Sequence, residues 1–327
     1  SDSVYIDRLS RIPAIMEMPY NDIIRKFIDM YAGRLRNQVS FMLSACNFYM
    51  PIFEEALDAY GLPLELRYLP IIESALNPSA VSRAGASGLW QFMIGTGKIY
   101  GLESNSLVDE RRDPIKATWA AARYLKEMYD IYGDWNLVIA AYNCGPGTIN
   151  KAIRRANGET DYWKIYNYLP KETRGYVPAF IAANYVMTYY CDHNICPMET
   201  NIPASTDTVQ VNKNLHFEQI ADLCNVPLDQ IKSLNPQYKK HMIPGDSKPY
   251  TLRLPIDAIS TFIDKQDTIY AHRADELFRN RKTVAVKEIT PSTRKTTAAV
   301  AGKGKLTYYT IKSGDTLSTI AGKYGVT

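Results

Sequence analysis

Glu73 follows Leu69, Ile71 and Ile72 and opens the densest group of chemistry-bearing residues in the chain. The group runs Glu73-Ser74-Ala75-Leu76-Asn77-Pro78, then Ser82, then Gly85-Ala86-Ser87-Gly88-Leu89-Trp90-Gln91-Phe92-Met93. A carboxyl half-sunk in apolar surroundings has its neutral form favoured. A general acid working near neutral pH requires that form. The glycine-rich turn lets backbone approach a ligand closely. Ser and Gln beside it offer hydrogen bonds to hydroxyls and amides, and Trp90 and Phe92 offer faces to pack on sugar rings. Taken singly, each residue has a plainer reading. A Glu at a helix end is most often a solvated carboxylate, and a lone Trp or Phe is most often core.

The elements that must position this group are helical. Asn21 can cap a helix whose apolar positions Ile24, Phe27, Ile28 and Tyr31 follow the 3.6-residue period. Pro51 is expected to restart a helix through Phe53, Ala56 and Leu57, stopped by Gly61. Leu64 to Ile72 carries an apolar stripe that ends near Asn77-Pro78. Asp113-Pro114 opens a helix through Trp119, Ala122 and Leu125. Trp135 to Tyr142 and Tyr176 to Tyr190 form two more. Residues from about 21 to 190 therefore predict a compact α-rich domain.

Beyond this the pattern changes. Thr208 to Val211 reads as a strand, Phe217 to Leu223 and Leu228 to Leu234 as helices, and Thr251 to Leu254 as a second strand, giving a small β-α-α-β unit. Apolar periodicity fades from Asp257, and Thr290 to Lys305 has the composition of a flexible linker. A repeat follows: Tyr309 to Thr327 aligns without gaps on Val209 to Pro227, matching Ile311 with Val211 and Leu317 with Phe217. The second copy stops before its second helix and closing strand and is expected to be a truncated module.

Bulk properties bound the function. The 327 residues suffice for two or three domains, with 46% hydrophobic and 22% charged residues. A net charge of +4 suits an anionic surface and does not point to nucleic acid. No stretch is long and apolar enough to span a bilayer. The start, Ser1-Asp2-Ser3, has no features of an export signal, so the chain is either cytosolic or has lost a targeting segment. Five cysteines exclude complete internal pairing. Cys191 and Cys196 are close enough in sequence to pair in an oxidising compartment, and two free thiols satisfy the sequence equally. No Cys or His spacing fits a metal site, so neither metal nor cofactor is expected.

The ordered blocks resemble the goose-lysozyme-like transglycosylase (SLT) domain, and within it the membrane-bound lytic murein transglycosylase D type. The blocks are Glu73-Ser74, Gly85 to Met93, Ala141-Tyr142-Asn143-Cys144-Gly145-Pro146-Gly147, and Glu172-Thr173-Arg174-Gly175-Tyr176-Val177. Asp109 to Pro114 also looks like the D-type pattern, and the resemblance covers roughly residues 20 to 195. Two positions depart from it: Cys144 stands where Ala is usual and Ile94 where Pro is usual. By position, the resemblance implies Glu73 as catalytic acid/base. It implies Tyr176 as the tyrosine that hydrogen-bonds it, and Ser82, Gln91 and Asn143 as substrate contacts. Ser74, Trp90 and Tyr142 are motif members with supporting, substrate-binding roles. The small repeat resembles LysM, a module that binds N-acetylglucosamine-containing glycans. Ser313-Gly314-Asp315-Thr316-Leu317 carries its typical start, which Lys213 to Phe217 replaces in the first copy.

The expected fold is mainly α: a lysozyme-like helical catalytic domain followed by small α+β LysM-like modules. The expected boundaries are an N-terminal helical extension over 1–60, the SLT domain over 61–200, a degenerate LysM-like module over 205–256, a linker over 257–305 and a truncated LysM module over 306–327. The expected activity follows from the resemblance. Ordinary glycosidases use two carboxylates, whereas the matched motif supplies one. Glu73 would protonate the glycosidic oxygen between N-acetylmuramic acid and N-acetylglucosamine, then take the proton of the muramic C6 hydroxyl as a 1,6-anhydro ring closes. A hydrolysing muramidase with Asp109, Glu110 or Asp113 as base for a water is one alternative. A non-catalytic wall-binding protein is another. The resemblance further implies a monomer acting on peptidoglycan strands in the periplasm. An N-terminal export signal, with or without an outer-membrane lipid anchor, would supply its only link to a membrane.

Overall fold

A computed structural model describes residues 2–279. The linker expected beyond 279 and the truncated module at 306–327 lie outside the described residues. The regular elements of the first part are helices: α1 (Asp2–Ser10), α2 (Asp22–Ala32), α3 (Arg36–Ala59), α4 (Leu69–Ser74), α5 (Ile94–Ile99), α6 (Pro114–Tyr132), α7 (Trp135–Cys144), α8 (Pro146–Arg155), α9 (Tyr162–Ile165) and α10 (Lys171–Thr188). Local chemistry sets many boundaries. The Asn21 side chain accepts from the amides of Ile23 and Ile24 at the start of α2. Asp113 caps α6, with Pro114 at its first position, and Gly133 ends it at φ 61°. Asp134 then caps α7.

Among the described residues, two prolines lie in helix interiors, past the first turn. Pro51 does not restart a helix as expected; it sits within the 24-residue α3. Pro178 lies within α10 and has no amide to donate to the carbonyl of Arg174. That carbonyl instead accepts from the Tyr162 hydroxyl at 2.9 Å. A single apolar core runs from Leu9 to Ile195, so the N-terminal helices share a core with the rest of the helical domain. Helices α2 and α10 pack so closely that a Cβ on Gly175 would meet the Phe27 ring at 3.1 Å.

The second part contains β1 (Thr206–Val211), β2 (Asn214–His216), α11 (Phe217–Cys224), α12 (Leu228–Leu234), β3 (Met242–Pro244) and β4 (Tyr250–Pro255). β1 pairs antiparallel with β4, from Thr206 opposite Pro255 to Val211 opposite Tyr250. The expected β-α-α-β order is present. The short β2–β3 pair, Asn214 to His216 against Met242 to Pro244, was not expected. The expected linker start at 257 is also corrected. α13 (Ile256–Asp264), α14 (Gln266–Ala271) and α15 (Ala274–Leu277) follow directly. Ala258, Phe262 and Ile269 anchor this segment in the second core, which also takes in Leu107 and Val108 from the helical part. All five cysteines are free thiols, and among the described residues no helix is long and apolar enough to cross a membrane.

Candidate active site

Glu73 lies in the last turn of α4, whose Leu69, Pro70 and Ile71 are buried. The helix stops there because Ala75 and Leu76 both turn left-handed, at φ 51° and 57°. Two consecutive residues with side chains in that region carry strain, which tertiary contacts must hold. The Ser74 hydroxyl, beside Glu73, donates to the carbonyls of Pro70 and Leu89, both at 3.0 Å. The carboxyl opens into a cavity of about 430 Å³ that Ser82 and Gln91 also line. Among the residues lining it, Glu73 alone carries a carboxyl.

The Tyr176 hydroxyl, on α10, donates to Glu73 Oε1. Burial pushes the Glu73 carboxyl up; the bond from Tyr176 pulls it down and the charge of Glu172 adds a small upward push, leaving it at about 7. A carboxyl at that value exchanges its proton readily near neutral pH.

The 85–92 segment forms one side of the site. Gln91 adopts φ 49°, and its side-chain amide donates to the carbonyls of Ala80 and Gly88. Tyr142, on α7, donates its hydroxyl to the Trp90 carbonyl at 2.7 Å. Asn143 follows it, and its side-chain oxygen accepts from the Thr173 hydroxyl at 2.8 Å. Ser82 is exposed at the mouth, where its hydroxyl accepts from the Ala86 amide at 3.0 Å.

Trp90 is not placed as expected. It is fully buried, its indole N–H donates to the Thr118 hydroxyl at 2.9 Å, and its ring packs edge-on against Phe53. With its face covered and its one donor used, the side chain is core, and its carbonyl is taken up by the Tyr142 hydroxyl. Phe92 is likewise 3% exposed. Conversely, Tyr31, Gln38 and Met42 of α2 and α3 line the cavity. Amphipathic spacing alone does not tell a cleft wall from a core face, so nothing in the sequence singled them out.

The acids considered as a second catalytic group are engaged elsewhere. Asp109 is 1% exposed and paired with Arg111. Glu110 bonds Lys116 and the Glu103 amide. Asp113 caps α6.

Residues 50–165 match the family model of the transglycosylase SLT domain. Residues 205–271 match the model described as lytic transglycosylase MltD, LysM-like domain, and 309–327 match the LysM domain. This chain carries an SLT domain joined to LysM-type modules. The membrane-bound lytic murein transglycosylase D of Escherichia coli (strain K12) is 31% identical over 95% of this chain and 65% of its own length. The soluble lytic murein transglycosylase of the same organism is 33% identical over 36% of this chain and 19% of its own. A crystal structure of the 70 kDa soluble lytic transglycosylase from Escherichia coli overlaps 44% of this chain and 24% of that chain, with 29% identity and a TM-score of 0.38. The chain thus spans less than two thirds of the length of these relatives. The match over 205–271 runs beyond residue 256, as do the helices α13 and α14 of the SLT domain's neighbour.

Proposed function

We propose that this chain is a peptidoglycan lytic transglycosylase. It cleaves the β-1,4 bond between N-acetylmuramic acid and N-acetylglucosamine without water and leaves 1,6-anhydromuramic ends. One observation carries the reading: a single carboxyl, held at about 7 against one phenol, in a cavity that no other carboxyl lines. An inverting hydrolase needs a second carboxylate as base and a retaining one needs it as nucleophile.

In the first step Glu73, protonated, gives its proton to the glycosidic oxygen as the C1–O bond breaks. The acetamide of the substrate itself stabilises the cationic C1. Glu73, now a carboxylate with Tyr176 donating to it, takes the proton of the C6 hydroxyl, and O6 closes onto C1. The proton lost in the first step is thereby recovered, and Glu73 is ready for another turn. Gln91 and Ser82, which line the cavity, contact the glycan; the family resemblance adds Asn143, which lies outside that lining; and Ser74 and Tyr142 fix the backbone around the acid. A peptidoglycan substrate would be met in the periplasm, and the name of the Escherichia coli relative supports a membrane-associated location there. Mass spectrometry of products from purified peptidoglycan tests the reaction. Anhydro ends are expected. Products one water heavier would establish a muramidase, and intact strands a binding protein.

A further inference from the structure

The segment 103–112 lies between the glycine-rich loop of the site and the LysM-like unit, and it bonds to both. On the LysM-like side the contact is built like a sheet edge. Val108 bridges antiparallel to Tyr238. The Asp109 amide donates to the Gln237 carbonyl at 2.8 Å, and the Lys239 amide donates to the Leu107 carbonyl at 2.6 Å. Side chains reinforce it: Lys239 Nζ donates to the Asn105 carbonyl at 2.8 Å, and the Tyr250 hydroxyl donates to Glu103 at 3.0 Å. Leu107 and Val108 are buried in the core of the LysM-like unit.

On the catalytic side two guanidinium groups reach the loop: Arg112 Nε donates to the Ser87 hydroxyl at 3.1 Å, and Arg111 holds the loop's two ends. Arg111 is 5% exposed and pairs through two nitrogens with Asp109, at 2.9 and 2.8 Å. Its remaining nitrogen, Nη1, donates to the carbonyls of Gly85 and Phe92, at 2.8 and 3.0 Å. Those two carbonyls are the ends of the loop that carries Gln91. The loop also sits against the backbone of Arg111, for a Cβ on Gly88 would fall 1.8 Å from the Arg111 carbonyl oxygen. Between its ends the same loop accepts from Ser74 at Leu89 and from Tyr142 at Trp90. A planar fork satisfying a carboxylate and two carbonyls is a rigid joint that a lysine cannot copy.

We infer that the LysM-like unit is a brace for the catalytic loop, and that Asp109 and Arg111 are positioning residues acting through that loop on the surroundings of Glu73. The 205–271 unit would thus contribute to the rate of the chemical step, separately from any holding of glycan. This inference rests on the function proposed above, because a looser loop matters to rate only if Glu73 is the reacting acid. Loss of sub-ångström placement in an enzyme site commonly costs on the order of 10- to 100-fold in rate.

The test uses the full chain with Arg111→Lys and, separately, the double variant Lys239→Met/Tyr250→Phe, whose changes lie on the LysM-like side. Two readouts are taken: kcat and KM on short soluble glycan strands, and hydrogen–deuterium exchange of the peptide spanning 85–93. A kcat lowered by about 10-fold or more in Arg111→Lys is expected. KM should stay near wild type, and exchange should be faster over 85–93. The double variant should move both readouts in the same direction by less. Should Arg111→Lys not fold, the double variant decides. Wild-type kcat and exchange in the double variant, with weaker retention on insoluble peptidoglycan, would make the unit an anchor and overturn the brace. A wild-type protein that cleaves no glycan would sink the proposed reaction, yet the exchange experiment would still read the brace.

Discussion

Replacing Glu73 by Gln should stop cleavage and, above neutral pH, make the protein more stable than the wild type. Burial, opposed by the Tyr176 hydroxyl and helped by Glu172, raises the carboxyl from an ordinary 4.5 to about 7. The native state therefore holds this proton more tightly than the unfolded chain. The stabilisation from protonated Glu73 is fully present below about 4.5 and is lost as the pH rises through about 7. A shift of that size corresponds to at most about 3 kcal/mol between the two limits. Gln has the same shape and no charge to desolvate. Any cost of pairing its amide is the same at every pH. Urea unfolding of both proteins at pH 5 and pH 8 isolates the pH-dependent part. Relative to wild type, the variant should gain up to about 3 kcal/mol from the lower to the higher pH. A stability difference that is the same at both pH values would refute the burial argument. Substantial cleavage by a folded Glu73→Gln variant would refute the catalytic role, since loss of a general acid–base group typically costs at least ~100-fold.

Tyr176→Phe removes the bond that favours the carboxylate, so the basic limb of the kcat/KM profile should move up. A charge-assisted bond of roughly 1.5–3 kcal/mol corresponds to about 1–2 pH units, and the rate should fall about 10-fold or more. A profile superimposable on wild type would separate Tyr176 from the chemistry. Trp90→Phe should lower stability by roughly 1–3 kcal/mol through the lost packing and the lost bond to the Thr118 hydroxyl, which keeps its own bond to the Pro114 carbonyl, while KM for short glycan strands stays unchanged. A large rise in KM without loss of stability would restore Trp90 to the glycan surface.

What the sequence showed and what it hid follow from the range of the interactions involved. The starts of α2 and α6 were legible because Asn21 and Asp113 bond amides two or three residues away. The mainly helical class and the small α+β unit were legible from periodicity. Pro51 misled because proline is a strong local signal, whereas the packing of Phe53, Ala56 and Leu57 holds α3 continuous across it. Trp90 misled for the opposite reason. It lies in an irregular loop with no period to read, and its burial depends on Thr118 of α6 and Phe53 of α3. The role of Arg111 was not legible, because nothing in Asp109-Glu110-Arg111-Arg112 tells that its guanidinium reaches carbonyls 26 and 19 residues back.

The proton affinity of Glu73 is in this sense a tertiary quantity. Neither α4 nor its neighbouring residues would hold the carboxyl near 7, since an isolated helix end is wet and its Glu ionises in the ordinary range. The value needs α10, 103 residues away, to bring Tyr176 and exclude water, and it needs the 85–92 loop to close the other side. The strain at Ala75, Leu76 and Gln91 marks where the backbone leaves its preferred regions to bring these walls together. Looser packing would admit water, let the Glu73 value fall back toward 4.5 and leave the acid ionised before it met its substrate. Substitutions that loosen α4, α10 or the loop without touching Glu73 should therefore cost rate first at the alkaline end of the pH profile. There the protonated fraction is already small, and a lower proton affinity removes most of what is left.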